Sequence, residues 1–180
     1  MSDPSVLLTT DGPSLQFENE KQRAQFELGV ACAVFLWDDL ATAVANGWGG
    51  PESDAKREWL AGAVTDLFDA TEVATEDIEY RLLAAMEDEF DVTIEDETAL
   101  QVAHNVVKVY QQCADQNYTF AQELFQKYQQ RTPAQPVRIE EDEDSEGEPE
   151  LVAEPMDVDP PTEPKQPEVD DDGFTIVRRK

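Results

Sequence analysis

Basic residues are scarce in this sequence: 13 Lys and Arg stand against 41 Asp and Glu in 180 residues, a net charge of −28. A phosphate backbone repels such a surface, which excludes direct nucleic-acid binding through a basic face and disfavours anionic membranes. Histidine occurs once, at His104, so no two-histidine catalytic dyad exists. Cysteine occurs twice, at Cys32 and Cys113, with no second cysteine near either. That spacing neither staples a small secreted fold nor builds a zinc site. Both lie in helical patterns and are expected to be buried free thiols in a reducing compartment. No apolar run reaches the length of a membrane span, and Met1–Leu8 carries no basic region of the kind that begins a secretory signal. The expectation is an intracellular, soluble protein. Gly-rich phosphate loops and calcium loops are also missing. Ser53-Asp-Ala-Lys56 matches the Ser-x-x-Lys string of some acyl-transfer enzymes, but their companion motifs are not there. The sequence therefore predicts no catalytic residues, no cofactor and no metal.

Hydrophobic residues make up 40% of the chain, enough for a folded core. They are unevenly placed. Residues 134–180 hold 7 of the 11 prolines, 16 acids and 5 bases, with only 12 apolar residues in 47. Such a stretch cannot bury enough surface to offset chain entropy and is expected to be disordered. The first 133 residues still carry 25 acids against 8 bases, so the folded part is itself acidic. The expected organisation is a flexible N-terminus over 1–14, a helical domain over 15–132 and a disordered acidic tail over 133–180.

Within the domain the periodicity is helical. Phe26, Val30, Ala33, Val34, Trp37, Leu40, Ala41 and Val44 recur at spacings of three and four as one stripe, ended by Asn46-Gly47. Ser53 is placed to cap a second helix carrying Trp59, Leu60, Ala63, Val64, Leu67 and Phe68. Thr75, with Glu76 and Asp77 in the first turn, opens a third. A fourth runs from about Asp96 to Asp115 and a fifth starts near Asn117, while Phe90–Ile94 is a connector rather than a lone strand. The fold class is all-α, a single bundle of four to five helices.

The most distinctive string is Trp48-Gly49-Gly50, followed by Ser53, Lys56, Trp59 and Leu60. Glycines after a tryptophan permit a tight turn, and the simplest expectation is a corner in which Trp48 plugs the top of the bundle. A binding role for Trp48 is the alternative, since tryptophan is enriched at interface hot spots. Together with an acidic helical segment and the ending Asp171-Asp-Gly-Phe-Thr-Ile-Val-Arg-Arg-Lys180, this string resembles the WGG-motif pre-rRNA-processing family, named for accumulation of the twenty-S rRNA precursor when it is lost. The similarity covers roughly residues 20–130. It implies a dedicated chaperone, or escort, of a basic small-subunit ribosomal protein, the eukaryotic protein numbered twenty-six. That protein would be received around nuclear import from importin–cargo complexes and protected until it joins pre-ribosomal particles. The implied locations are nucleus, with nucleolus and nucleoplasm, and cytoplasm.

Charge gives the same direction without the resemblance, because a polyanionic domain steers encounter with polycationic proteins. The densest acidic tract comprises Glu76, Asp77 and Glu79, then Glu87, Asp88, Glu89 and Asp91, then Glu95, Asp96 and Glu97. It is the expected partner-binding surface. In the tail, Ser145 within an acidic run fits acidophilic kinases. The cluster Gly173, Phe174, Thr175, Ile176 and Val177 has the character of a short docking motif. A generic histone-type chaperone or nucleic-acid mimic is the competing function.

Overall fold

A computed structural model describes residues 5–136, and these fold into six helices with a two-stranded sheet at one side. Asn19 opens α1 (Glu20–Phe35), its side-chain oxygen accepting from the amides of Lys21 and Gln22 at 2.9 and 3.2 Å. After α1 come α2 (Asp38–Ala45), α3 (Ser53–Asp66), α4 (Thr75–Phe90), α5 (Thr98–Ala114) and α6 (Thr119–Gln130). Helix α1 is the central element, packing against α3, α5 and α6. The core is built on fully buried Phe26, Phe68, Phe90, Leu40, Leu60, Ile78, Leu82 and Met86. Edge-to-face contacts set Phe26 against Phe17, Phe68 and Tyr110 at 5.7, 4.7 and 5.5 Å between ring centres.

The all-α class holds, but the expected four to five helices are six. The stripe from Phe26 to Val44 is two helices, bent by 69° at Leu36–Trp37. Trp37 takes an extended backbone (φ −66°, ψ 118°) and is buried, its indole N–H donating to Asp39 Oδ2 and to Thr98 Oγ1 of α5. The break leaves the carbonyl of Phe35 without a helical partner, and Arg131 Nη1 donates to it at 3.1 Å while Nη2 pairs with Asp38. A two-residue break preserves the three-and-four spacing, so hydrophobic periodicity alone does not register it.

The N-terminal stretch expected to be flexible contains a strand. β1 (Leu7–Thr9) pairs antiparallel with β2 (Glu72–Ala74), Leu7 opposite Ala74, Leu8 opposite Val73 and Thr9 opposite Glu72. Leu8 and Val73 are buried, the Val6 amide donates to the Thr75 hydroxyl, and Tyr110 OH donates to the Leu15 carbonyl at 2.9 Å. Three residues are too few for an alternating pattern to show in sequence.

Helix starts also shift. Ser53 is the first residue of α3 rather than its cap, and its hydroxyl donates back to the Gly50 carbonyl at 2.7 Å instead of accepting a helix amide. α5 begins at Thr98 and α6 at Thr119, each with an acceptor two residues earlier, Asp96 Oδ1 and Asn117 Oδ1. Asp91–Glu95 is a connector without strand, as the sequence predicts.

Candidate binding surface

The Asn46–Gly50 turn ends α2 with two reciprocal backbone bonds, Gly47 N–H to Val44 O and Trp48 N–H to Ala43 O, both 3.0 Å. Gly47 (φ +68°) and Gly50 (φ +78°) sit in the left-handed region that favours glycine. Gly49 is required for a different reason: it is buried against the Phe90 ring, and a Cβ there would fall 2.9 Å from Cε1 of that ring. Lys56, one turn into α3, reaches the same place. Its ammonium donates to the Glu89 carbonyl at 3.1 Å and pairs with Glu89 Oε2 at 3.0 Å. A cation suits the exposed carbonyls at a helix C-terminus. Gly49 and Lys56 thus seat the end of α4 against the corner, while Ser53 bonds back to the turn at Gly50 and Leu60 is fully buried.

The tryptophans do not plug the bundle. Trp48 is 48% and Trp59 50% exposed, whereas Trp37, an ordinary member of the sequence stripe, is the buried one at 4%. Gly49 does the packing, and the indole of Trp48 faces outward.

The acidic tract divides in two. Glu76 and Asp77 are exposed at the start of α4, with Glu79 half-buried. Asp77 Oδ2 accepts the Ala74 amide at 2.8 Å, and a hydrogen bond from Ser5 holds the Glu76 carboxyl below its usual range. At the other end, Glu87, Asp88 and Asp91 are exposed, Asp91 closing α4 with φ +55°. Glu95, Asp96 and Glu97 follow, exposed, before α5, and the Thr98 hydroxyl and amide hold the Asp96 carboxyl below its usual range. Glu76 and Glu87 lie eleven positions apart, roughly 16 Å of helix at the usual rise. Exposed charges are screened over about 8 Å at physiological salt, so the two ends act as separate patches. The second patch lies at the end of α4 that carries Phe90, the ring against which Gly49 packs; the first adjoins the sheet, where Glu72, absent from the sequence-predicted set, faces Thr9.

Few of these acids are neutralised internally. Among the described residues the ion pairs are Lys56–Glu89, Arg57–Asp54 and Arg131–Asp38. Burial pushes the Cys32 and Cys113 thiols up to about 11. Among the described residues no group of three or more His, Cys, Asp or Glu side chains is arranged to hold a metal, and no single helix is long and apolar enough to cross a membrane. Ser145 and the Gly173–Val177 cluster lie outside the described residues.

Known proteins resemble this chain in sequence and in fold. The WGG family profile, described as Pre-rRNA-processing protein TSR2, matches residues 26–104, which span the corner and both acidic patches. The chain is 44% identical over 119 residues to the Saccharomyces cerevisiae Pre-rRNA-processing protein TSR2, covering 66% of this chain and 58% of that relative. It therefore spans under two thirds of that yeast protein's length. The mouse and human homologues of the same description are 33% and 31% identical, each alignment covering 89% of this chain and 97% of the relative. The solution structure of yeast TSR2 residues 1–152 superposes with a TM-score of 0.67 at 41% identity, covering 74% of this chain and 88% of that one. The chain belongs to the TSR2 family of pre-rRNA-processing proteins and so to the machinery of ribosome biogenesis.

Proposed function

We propose that this protein is a dedicated, non-catalytic escort of a basic small-subunit ribosomal protein, the eukaryotic protein numbered twenty-six. It takes that cargo from importin complexes, shields it in nucleus and cytoplasm, and delivers it for small-subunit maturation. The observation that carries the reading is the corner itself: an outward Trp48 on the turn whose Gly49 packs on Phe90, the last residue of the acid-rich end of α4, in a domain that leaves most of its carboxylates without internal cations. A ribosomal protein away from the ribosome has lost the phosphates that matched its Lys and Arg. Fixed carboxylates can replace them, and an exposed indole adds an apolar and cation–π contact. Single exposed ion pairs contribute only about 0–1 kcal/mol, so affinity needs the patch as a unit with an aromatic anchor.

The test is a pull-down from lysate with the full chain at about 150 mM salt, near physiological screening. One ribosomal protein enriched far above histones supports the escort. Equal retention of histones and many ribosomal proteins supports the generic acidic chaperone instead.

A further inference from the structure

The two-stranded sheet has two outward edges, one on β1 and one on β2. Val6 and Thr10 bond across to Thr75 and Thr71, the Thr75 amide donating to the Val6 carbonyl and the Thr10 amide to the Thr71 carbonyl, both at 3.0 Å. Antiparallel pairs alternate, so Leu8 and Val73, two residues on, form the intervening hydrogen-bonded pair. The amides and carbonyls of Leu7 and Thr9 therefore point away from β2. On the far side of β2 the Ala74 amide is already taken by Asp77 Oδ2. Leu7 is 60% exposed and Thr9 is exposed, while at the start of β1 Val6 shares a cavity wall with Gln101, His104 and Lys108 of α5.

A two-stranded sheet is marginal, and an open edge is a template for one more strand. Charge states which strand fits. Residues 5–19 and 69–79, the stretches that build the sheet and its flanks, contain seven acids and no Lys or Arg. Glu72 faces Thr9 across the sheet, and the Glu76 carboxyl accepts from Ser5 at its end.

We propose that β1 is the docking edge for an extended Lys- and Arg-rich segment of the ribosomal cargo, which joins the sheet as a third strand. Main-chain bonds to Leu7 and Thr9 hold the segment, and the surrounding carboxylates select its charge. This rests on the escort reading and assigns the first acidic patch a separate task from the Trp48 corner.

Thr9→Pro isolates the edge. It deletes an outward amide, leaves the bonds to β2 intact, and proline is tolerated on edge strands. Thr9→Val keeps the amide and serves as control. The probe is the purified small-subunit ribosomal protein numbered twenty-six, added to the full chain. Amide hydrogen exchange at Leu7 and Thr9 should slow on binding. Thr9→Pro should bind about tenfold more weakly, the scale of one lost hydrogen bond plus a blocked approach, with unchanged salt dependence, and Thr9→Val like the native chain. If the native chain binds while those amides exchange as before and Thr9→Pro binds equally, the edge is wrong and the escort stands. If the native chain does not bind, the escort reading fails and the edge with it. Should Thr9→Pro unfold, exchange in the native chain decides alone.

Discussion

Gly49 lies against the ring of Phe90, with room for no Cβ between them: an added methyl carbon would meet Cε1 at 2.9 Å and Cδ1 at 3.0 Å. Phe90 is 1% exposed and closes α4, so its ring cannot give way without disturbing the core. Gly49→Ala is expected to destabilise the domain by about 1–3 kcal/mol, the range for overpacking a filled site. Chemical denaturation monitored by helicity checks it. Trp48→Ala should cost less, roughly 1–2 kcal/mol, because half of the indole already faces water. Its main effect should be on cargo binding, measured on the same preparations.

Helix α5 ends on a residue that strains it. Gln116 has φ +58°, and the turn is otherwise the glycine-type stop, with Gln116 N–H on Cys113 O and Asn117 N–H on Gln112 O. Gln116→Gly should raise stability by about 0.5–1 kcal/mol, relief of the left-handed strain exceeding the added chain entropy. A rise in Tm with unchanged cargo affinity is the expected result.

Arg131, just after α6, ties that end of the described residues to the α1–α2 break. It satisfies the Phe35 carbonyl at the α1–α2 break and pairs with Asp38. A chain truncated after residue 136 should melt like the full protein, whereas Arg131→Ala should lose about 1–2 kcal/mol through the orphaned carbonyl. Thermal melts of the two proteins separate the cases.

The thiols give a pH dependence of defined sign. Burial raises both cysteine pKa values from 9.0 to about 11, so the folded state keeps protons that the unfolded chain releases. Their contribution is fully present below about pH 9 and is lost as pH climbs toward about 11. Denaturation midpoints across pH 8–11 should fall less steeply in a Cys32→Ala, Cys113→Ala protein. At neutral pH both thiols should resist alkylation until the chain unfolds.

Sequence periodicity located α3 to α6 within two or three residues because each buries a stripe broken by turn residues. It merged α1 and α2, since the bend at Trp37 keeps the spacing and is fixed by Asp39, Thr98 and Arg131, two of them from distant parts of the chain. β1 was invisible because its partner lies more than sixty residues away and each strand has three residues. The Trp-Gly-Gly corner was legible as a turn, but the roles of its residues were not. Which side of the turn faces Phe90 depends on α4 packing, and this turns Gly49 inward and Trp48 outward. The acidic tract was legible as charge, while its division between the two ends of α4 required the helix length.

The two patches should be separable. Glu87→Lys with Asp88→Lys and Asp91→Asn, the last because asparagine tolerates the left-handed backbone, should reduce cargo affinity and flatten its salt dependence. Glu76→Lys with Glu79→Lys should weaken binding independently, and the two effects should add for sites further apart than about 10 Å. Asp77 is left intact because its carboxylate caps the Ala74 amide.

The central claim is selective capture of one basic ribosomal protein at the Trp48 corner. Its most direct measurement is a competition titration at physiological salt. The full chain is loaded with the small-subunit ribosomal protein numbered twenty-six and challenged with a core histone, then repeated with the Glu87→Lys, Asp88→Lys, Asp91→Asn protein. The expected result is that the histone fails to displace the cargo from the native chain at tenfold excess, by a margin of about 1.4 kcal/mol or more, and that the variant loses this preference. Equal displacement by the histone, or a variant that retains full selectivity, would contradict it.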